Sequence, residues 1–158
     1  MSPSLGADIL EFAFANDKAL YKTALNAVAQ ARHVRPVFLE RQPRVERSAT
    51  MVDTLSRPQL ALAANSLIST WLLKKHGPLL AAFLEALKIP HENGVVEDLP
   101  KTVEDAVLQS AVDQLVVKFP AQIVAIYLHA FNDMNEAHWP NLEALLNDDV
   151  RLQLQRDA

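Results

Sequence analysis

The sequence predicts an all-α fold, arranged as an irregular bundle of about five to seven helices. Apolar residues recur every three or four positions through most of the chain, which is the spacing of one helix face. Prolines lie where these patterns begin or end. The three glycines, Gly6, Gly77 and Gly94, are at least seventeen positions apart. Because phosphate-binding loops need clustered glycines, the sequence excludes P-loop, dinucleotide-binding and kinase fingerprints.

Length and composition set the class of protein. A chain of 158 residues with 50% hydrophobic and 22% charged residues suits one globular domain over residues 1–158, with a polar tail over 149–158 that can fray. Cysteine is absent, which excludes thiol catalysis, thiolate metal sites and disulfides. No basic leader or long apolar run is present, so the expected location is cytoplasmic. No cofactor and no membrane partner is predicted.

The first third of the chain reads as two helices. Residues 7–31 carry a helical apolar stripe that Asp17 alone interrupts, and Pro36 ends it. Residues 37–41 read as a short helical turn or a linker. A second helix is predicted over residues 43–54, followed by a serine that suits the N-cap of the next helix.

The middle of the chain reads as a core helix, a tight joint, a second helix and a turn. Residues 59–75 are apolar nearly all round, which predicts a helix inside the bundle. Gly77 is predicted as its left-handed C-cap, and Pro78 opens a helix that runs to residue 87. The Asn-Gly pair within residues 89–98 predicts a structured loop or a miniature hairpin.

The last third reads as three further helices. Thr102 is predicted as the cap of a helix that ends at Phe119, because a residue before proline avoids helical torsions. Helices over residues 120–134 and 141–146 follow.

Two pairs of ionisable residues are candidates for ligand binding. His129 and Asp133 stand four apart on one predicted helix, the spacing that aims an imidazole and a carboxylate at one point. The alternative is a surface ion pair. His91 and Glu92 lie in the predicted loop, where they could act as an acid–base pair or belong to a solvated turn.

A second group of candidates is suited to contacts with other molecules. Trp139 lies between two predicted helices and reads as a packing residue or a ligand-stacking surface. The arginine-rich segment is the candidate anion site, and its interaction residues are Arg35, Arg41, Arg44 and Arg47. Nucleic acid is disfavoured there because the pI is about 5.7.

Charge is distributed unevenly along the chain, whose net charge is −4. Residues 1–84 hold ten Lys/Arg against six Asp/Glu, and residues 85–158 hold five against thirteen. This asymmetry favours head-to-tail association or an anionic ligand, and two ordinary solvated faces are the alternative.

The sequence therefore favours association over covalent chemistry, and no catalytic residue or metal ligand is assigned. The leading hypothesis is a helical interaction or scaffold module that pairs with itself, as a homodimer, or with another protein. One alternative is a small-ligand or metal-binding helical protein, with a hydrolase among the options, that uses His91, Glu92, His129 and Asp133. Another is anion or nucleic-acid binding through residues 32–47.

Overall fold

The fold is all-α, as the sequence predicts. A computed structural model describes residues 2–135 and 138–154, and within these residues it has helices and one isolated antiparallel bridge but no strand. The same residues contain nine α-helices, so the predicted count of five to seven is wrong. In chain order the helices are α1 Pro3–Asn16, α2 Lys18–Ala31, α3 Pro36–Arg41, α4 Arg44–Leu55, α5 Ala61–Lys75, α6 Gly77–Ala86, α7 Asp105–Lys118, α8 Ala121–Met134 and α9 Pro140–Asp148.

The helices group into two compact units, with the boundary after Trp71. In the first unit α1 packs on α2 and α4, and α2 also packs on α3 and α4. In the second unit α6 packs on α7, α7 on α8, and α8 on α9. The expectation of one domain over residues 1–158 stays a prediction.

Two differences in the first unit explain the higher helix count. Asp17 has φ −148° and ψ 77°, which breaks the predicted helix over residues 7–31, and its side chain accepts a hydrogen bond from the Leu20 amide as the cap of α2. The segment predicted as a short helical turn or a linker is the short helix α3, which confirms the helical alternative, and its only buried residue is Leu39. Ser56 ends α4 instead of capping α5, because its hydroxyl donates to the Val52 carbonyl at 2.8 Å.

The prediction that residues 59–75 form an interior helix is only half right. The helix α5 forms, and Leu67 and Trp71 are buried. Leu62, however, is 86% exposed, and Leu73 is 45% exposed. Apolar residues all around a helix do not determine which of its faces acquires a neighbour, so the sequence overstated the burial of α5.

The joint between α5 and α6 is as tight as predicted but is built differently. The single residue His76 separates the two helices. Gly77 begins α6 and, unlike Gly94, does not have a positive φ, so its predicted left-handed cap is wrong. Burial, with a smaller contribution from Lys75, lowers the pKa of His76.

The predicted turn within residues 89–98 is present. Asn93 and Gly94 both have positive φ, at 52° and 84°, as a tight Asn-Gly turn requires. Glu92 and Val95 exchange two backbone hydrogen bonds of 2.9 and 3.0 Å, which form the isolated bridge. Farther on, Glu104 replaces Thr102 as the residue preceding the helix, so the predicted cap is wrong.

The second unit has an aromatic core. Phe83 of α6 makes edge-on contacts with Tyr127 and Phe131 of α8, at centroid distances of 5.5 and 5.4 Å. Trp139 packs on Phe131 at 5.2 Å and is fully buried. Burial raises the pKa of Tyr127 far above its ordinary value, so this phenol stays neutral at physiological pH.

The segment after α9 is held against the second unit over the residues that the structure describes. Residues Val150–Leu152 form a 3-10 helix that packs on α8 and α9, and Leu152 is fully buried. The rest of the predicted polar tail, residues 155–158, lies outside the described residues. Within the described chain, no helix is both long enough and apolar enough to span a membrane.

Candidate functional site

The side chain of Arg44 contacts two residues of α1 within the first unit. Its guanidinium lies 4.2 Å from the centre of the Phe14 ring, and its Nη2 is 2.7 Å from a carboxylate oxygen of Glu11. A guanidinium over an aromatic face is a favourable cation–π arrangement, and it joins α4 to α1 here. The positive charge of Arg44 is therefore paired within the chain, by the Glu11 carboxylate and the Phe14 ring.

Arg47 occupies a similar position one turn farther along α4. Its Nη1 donates to the Glu40 carbonyl at 3.3 Å, and its guanidinium is 5.9 Å from the ring of Phe14 and 5.8 Å from that of Tyr21. Burial raises the pKa of Tyr21, and the charge and hydrogen bond of Arg47 offset part of that rise. The structure thus gives Arg47 a packing role between α2, α3 and α4.

Arg35 and Arg41 differ from these two arginines. Both are exposed, and neither side chain forms an ion pair or hydrogen bond with any residue in 2–135 or 138–154. Arg32, in contrast, donates to the Thr54 hydroxyl at 3.2 Å and lies 3.8 Å from Asp53. The unpaired arginine side chains of the basic segment therefore lie at the two ends of α3, where Arg35 precedes the helix and Arg41 is its last residue.

The outer face of α3 is apolar between these two charges. At about 100° per residue, Val37, Phe38 and Arg41 fall within an arc of about 100°, and the buried Leu39 lies on the opposite side. Phe38 is 61% exposed, and Val34 and Val37 are each 39% exposed. We name this face, comprising Val34, Arg35, Val37, Phe38 and Arg41, the α3 surface.

Sequence reasoning missed the apolar part of the α3 surface. Charge alone distinguishes the arginines, whereas Val37 and Phe38 fall in the segment predicted as a short helical turn or a linker. Pro36 at the first helical position was the signal that a helix begins there, because proline suits that position. On a helix of six residues with one buried side chain, the other apolar residues must face outward.

His91 closes the turn in the second unit. Its Nδ1 accepts a hydrogen bond of 3.1 Å from the Gly94 amide, and its Nε2 lies 3.5 Å from a carboxylate oxygen of Glu85. Glu92 is exposed and forms the bridge to Val95 through its backbone. The His91 side chain therefore stabilises the loop, whereas the Glu92 side chain is exposed.

The loop presents a cluster of negative charge. Glu92, Glu97 and Asp98 are all exposed and line one surface cavity with Val95, which is 57% exposed. We name this face, comprising Glu92, Val95, Glu97 and Asp98, the acidic loop surface.

The other predicted pair, His129 and Asp133, is not joined to the loop cavity, whose lining comes from residues 90–98 alone. The His129 ring bonds through Nε2 to the Leu152 carbonyl at 3.1 Å. The neighbouring Gln122 donates to the Gln153 carbonyl at 3.1 Å. These two side chains hold the segment after α9 against α8, and Asp133 is exposed.

Trp139 is placed in the core, as its packing interpretation expects. It is fully buried, and its Nε1 donates to the Pro100 carbonyl at 2.9 Å. Across residues 2–135 and 138–154, no three His, Asp or Glu side chains are grouped so that they could hold a metal ion.

The protein is therefore helical and exposes two surfaces of opposite charge, each of which also contains apolar residues. Comparison of the chain with protein-family models, with curated proteins and with solved structures finds no match.

Proposed function

We propose that the protein acts by protein–protein association and assembles with a second copy of itself, the α3 surface of one copy binding the acidic loop surface of another. The observation that carries this proposal is the exposure of Phe38, at 61%, between Arg35 and Arg41, which lack partners in the described chain. Phenylalanine and arginine are enriched in protein interfaces, where a few such residues supply most of the binding energy.

Charge complementarity favours a second copy as the partner. Arg35 and Arg41 supply positive charge around an apolar centre, and Glu92, Glu97 and Asp98 supply negative charge around Val95. Opposite charges beside apolar contacts steer association and suppress wrong pairings. Each copy carries both surfaces, so no other molecule is required.

Because the two surfaces differ, a single contact of one α3 surface with one acidic loop surface is heterologous. If two such contacts form reciprocally between the same two copies, they make one isologous interface and the product is a closed dimer. If each copy uses its surfaces on different neighbours, the product is a ring or a filament. The molar mass in solution distinguishes these outcomes.

A charge-swap experiment tests the proposal. One variant carries Arg35→Glu and Arg41→Glu, and the other carries Glu92→Lys and Glu97→Lys. Each variant alone places like charges at the contact and is expected to be monomeric by size exclusion with light scattering. A mixture restores opposite charges at both contacts and is expected to recover the mass of the wild-type assembly.

The control is Lys18→Glu with Lys22→Glu, which changes the net charge as much as the arginine variant but on α2, where both lysines are exposed. This control is expected to assemble like the wild type. A wild-type protein that stays monomeric at every accessible concentration would contradict the proposal. So would a monomer that binds single-stranded oligonucleotide in a salt-dependent way through Arg35 and Arg41, since that result supports anion binding.

A further inference from the structure

A cavity of about 210 Å³ lies within the first unit, between α1, α4 and α5. Its walls are aliphatic and come from all three helices. Ile9, Leu10, Leu55 and Leu67 are buried side chains of the wall, and Val52 and Ile68 are partly exposed beside them. Ser56 is exposed at the edge, so the cavity opens to the outside on the side of α4 and α5.

The lining offers almost nothing to a polar molecule. Among the residues that the structure describes, no charged side chain lines the cavity. The single hydroxyl in the lining, that of Ser56, already donates to the Val52 carbonyl at 2.8 Å. A water molecule bound inside a protein needs two to four polar partners, which this wall does not supply. The cavity therefore favours an apolar occupant.

A glycine sets the closest approach of two of the walls. A Cβ on Gly6 would lie 2.9 Å from Cγ2 of Val52, which is closer than such atoms pack. The missing side chain lets α1 approach α4 at one end of the cavity. The cavity is thus bounded by a close helix crossing and is distinct from the α3 surface.

We infer that this cavity binds a short aliphatic chain, either as a free hydrocarbon or as the apolar end of an amphiphile whose polar head stays in solvent near Ser56. Apolar cavities of about 150 Å³ bind benzene-sized molecules, whereas sites for drug-sized ligands begin at about 300 Å³. A volume of about 210 Å³ lies between these sizes. This inference does not depend on self-association.

Six of the lining residues are Ile, Leu or Val, so methyl NMR reports on the cavity directly. The probes are the linear alcohols from butanol to decanol and the carboxylates of matching length, titrated into the full chain. Methyl shifts are expected at Ile9, Leu67 and Ile68 and not at Leu108 or Val112 in the second unit. Affinity is expected to rise about fourfold per added methylene, which corresponds to about 0.8 kcal/mol, until the chain fills the cavity.

Alcohols and carboxylates separate the two sources of the aliphatic chain. Equal binding of both series supports an amphiphile whose polar head stays in solvent, whereas exclusion of the charged series supports an uncharged hydrocarbon chain that the wall surrounds. Both results support an aliphatic site and fix its chemistry.

Ala64→Leu fills the cavity from α5, and it is expected to weaken binding of the best alcohol by at least about tenfold. Ala63→Leu adds the same side chain one residue away, outside the lining, and is expected to bind like the wild type. Unperturbed methyl signals of Leu25 and Val28, which are buried on α2 in the first unit and lie outside the lining, show that this unit stays folded in each variant.

Three results would overturn the inference: no methyl shift up to the solubility of octanol, equal shifts in both units, or unchanged binding in Ala64→Leu. A fourth would be lining methyls that shift with protein concentration and not with alcohol, and that stop shifting in Phe38→Ala. The cavity would then receive a side chain of a second copy.

Discussion

The indole Nε1 of Trp139 donates a hydrogen bond of 2.9 Å to the carbonyl oxygen of Pro100, which lies 39 residues earlier. Beside it, Asn141 Nδ2 donates to the Val103 carbonyl at 2.6 Å. These two bonds attach the segment before α7 to the start of α9. The irregular segment before α7 is therefore held in place by hydrogen bonds from side chains and not by helical hydrogen bonds.

Trp139→Phe is expected to loosen this connection. The variant keeps an aromatic ring on Phe131 but removes the donor to Pro100 and leaves unfilled volume, so we expect a loss of about 1–3 kcal/mol in unfolding free energy. Calorimetry would show a midpoint lowered by about 3–10 °C. Trypsin should also cut faster after the exposed Lys101, while cleavage after Lys22 in the first unit serves as the control. Unchanged cleavage after Lys101 would contradict the holding role.

Gly94 and Gly77 are expected to respond to alanine with opposite signs. A Cβ on Gly94 would lie 2.8 Å from Cβ of Leu80, at a positive φ of 84°, so Gly94→Ala should cost about 1–3 kcal/mol. A Cβ on Gly77 meets no atom of the described residues within 4 Å, and Gly77→Ala should stabilise by about 0.4–1 kcal/mol by restricting the unfolded chain. Urea unfolding of the two variants measures both effects. If Gly94→Ala were neutral, the turn would not be fixed as the structure shows.

Arg44 and Phe14 are expected to be energetically coupled. A double-mutant cycle of Arg44→Met and Phe14→Leu should give a coupling of about 0.5–1 kcal/mol, the size of a partly exposed cation–π contact. Arg44→Lys tests geometry, because lysine keeps the charge facing Glu11 but has no planar group to stack on the ring. Additive effects in the cycle would show that the stacked arrangement contributes no stability.

Local signals in the sequence predicted much of this fold. The end of α7 at Phe119 follows from the proline after it, and the turn at Asn93 and Gly94 follows from the residue types that tolerate a positive φ. Both features depend on neighbours in the chain. The all-α class follows for the same reason, because helical periodicity is a local property.

Features that depend on distant partners could not be predicted. The break at Asp17 is an exception, because the aspartate caps the Leu20 amide only three residues farther on, and the continuous apolar pattern hides this local signal. The sequence does not distinguish Arg44 from an unpaired charge, because Glu11 and Phe14 become its neighbours only in the folded chain. Of the candidate site residues, the exposed Arg35 and Arg41 could therefore not be separated from Arg44 and Arg47 by sequence alone.

The attachment of the segment after α9 is expected to depend on pH through Arg151. This guanidinium lies 2.6 Å from a carboxylate oxygen of Asp149 and 2.8 Å from one of Asp113 on α7. Its hydrogen bonds lower the pKa of both carboxyls below the ordinary value of 3.8, with Gln109 contributing at Asp113. The folded protein therefore keeps these carboxylates charged to a lower pH than the unfolded chain does.

It follows that the stabilisation by Arg151 is complete above about pH 5 and is lost as the pH falls through 4 toward the lowered folded-state pKa values. Arg151→Met should have a lower unfolding midpoint than the wild type at pH 7, and the two midpoints should converge as the pH falls below the lowered folded-state pKa values of the two carboxyls. Arg57→Met, at an exposed arginine of the first unit, is the control and should show no such convergence. Thermal unfolding from pH 2 to 8 provides the comparison. A gap between wild type and Arg151→Met that persists at pH 2 would mean that the contribution of Arg151 comes from packing of its aliphatic stem and not from its charge.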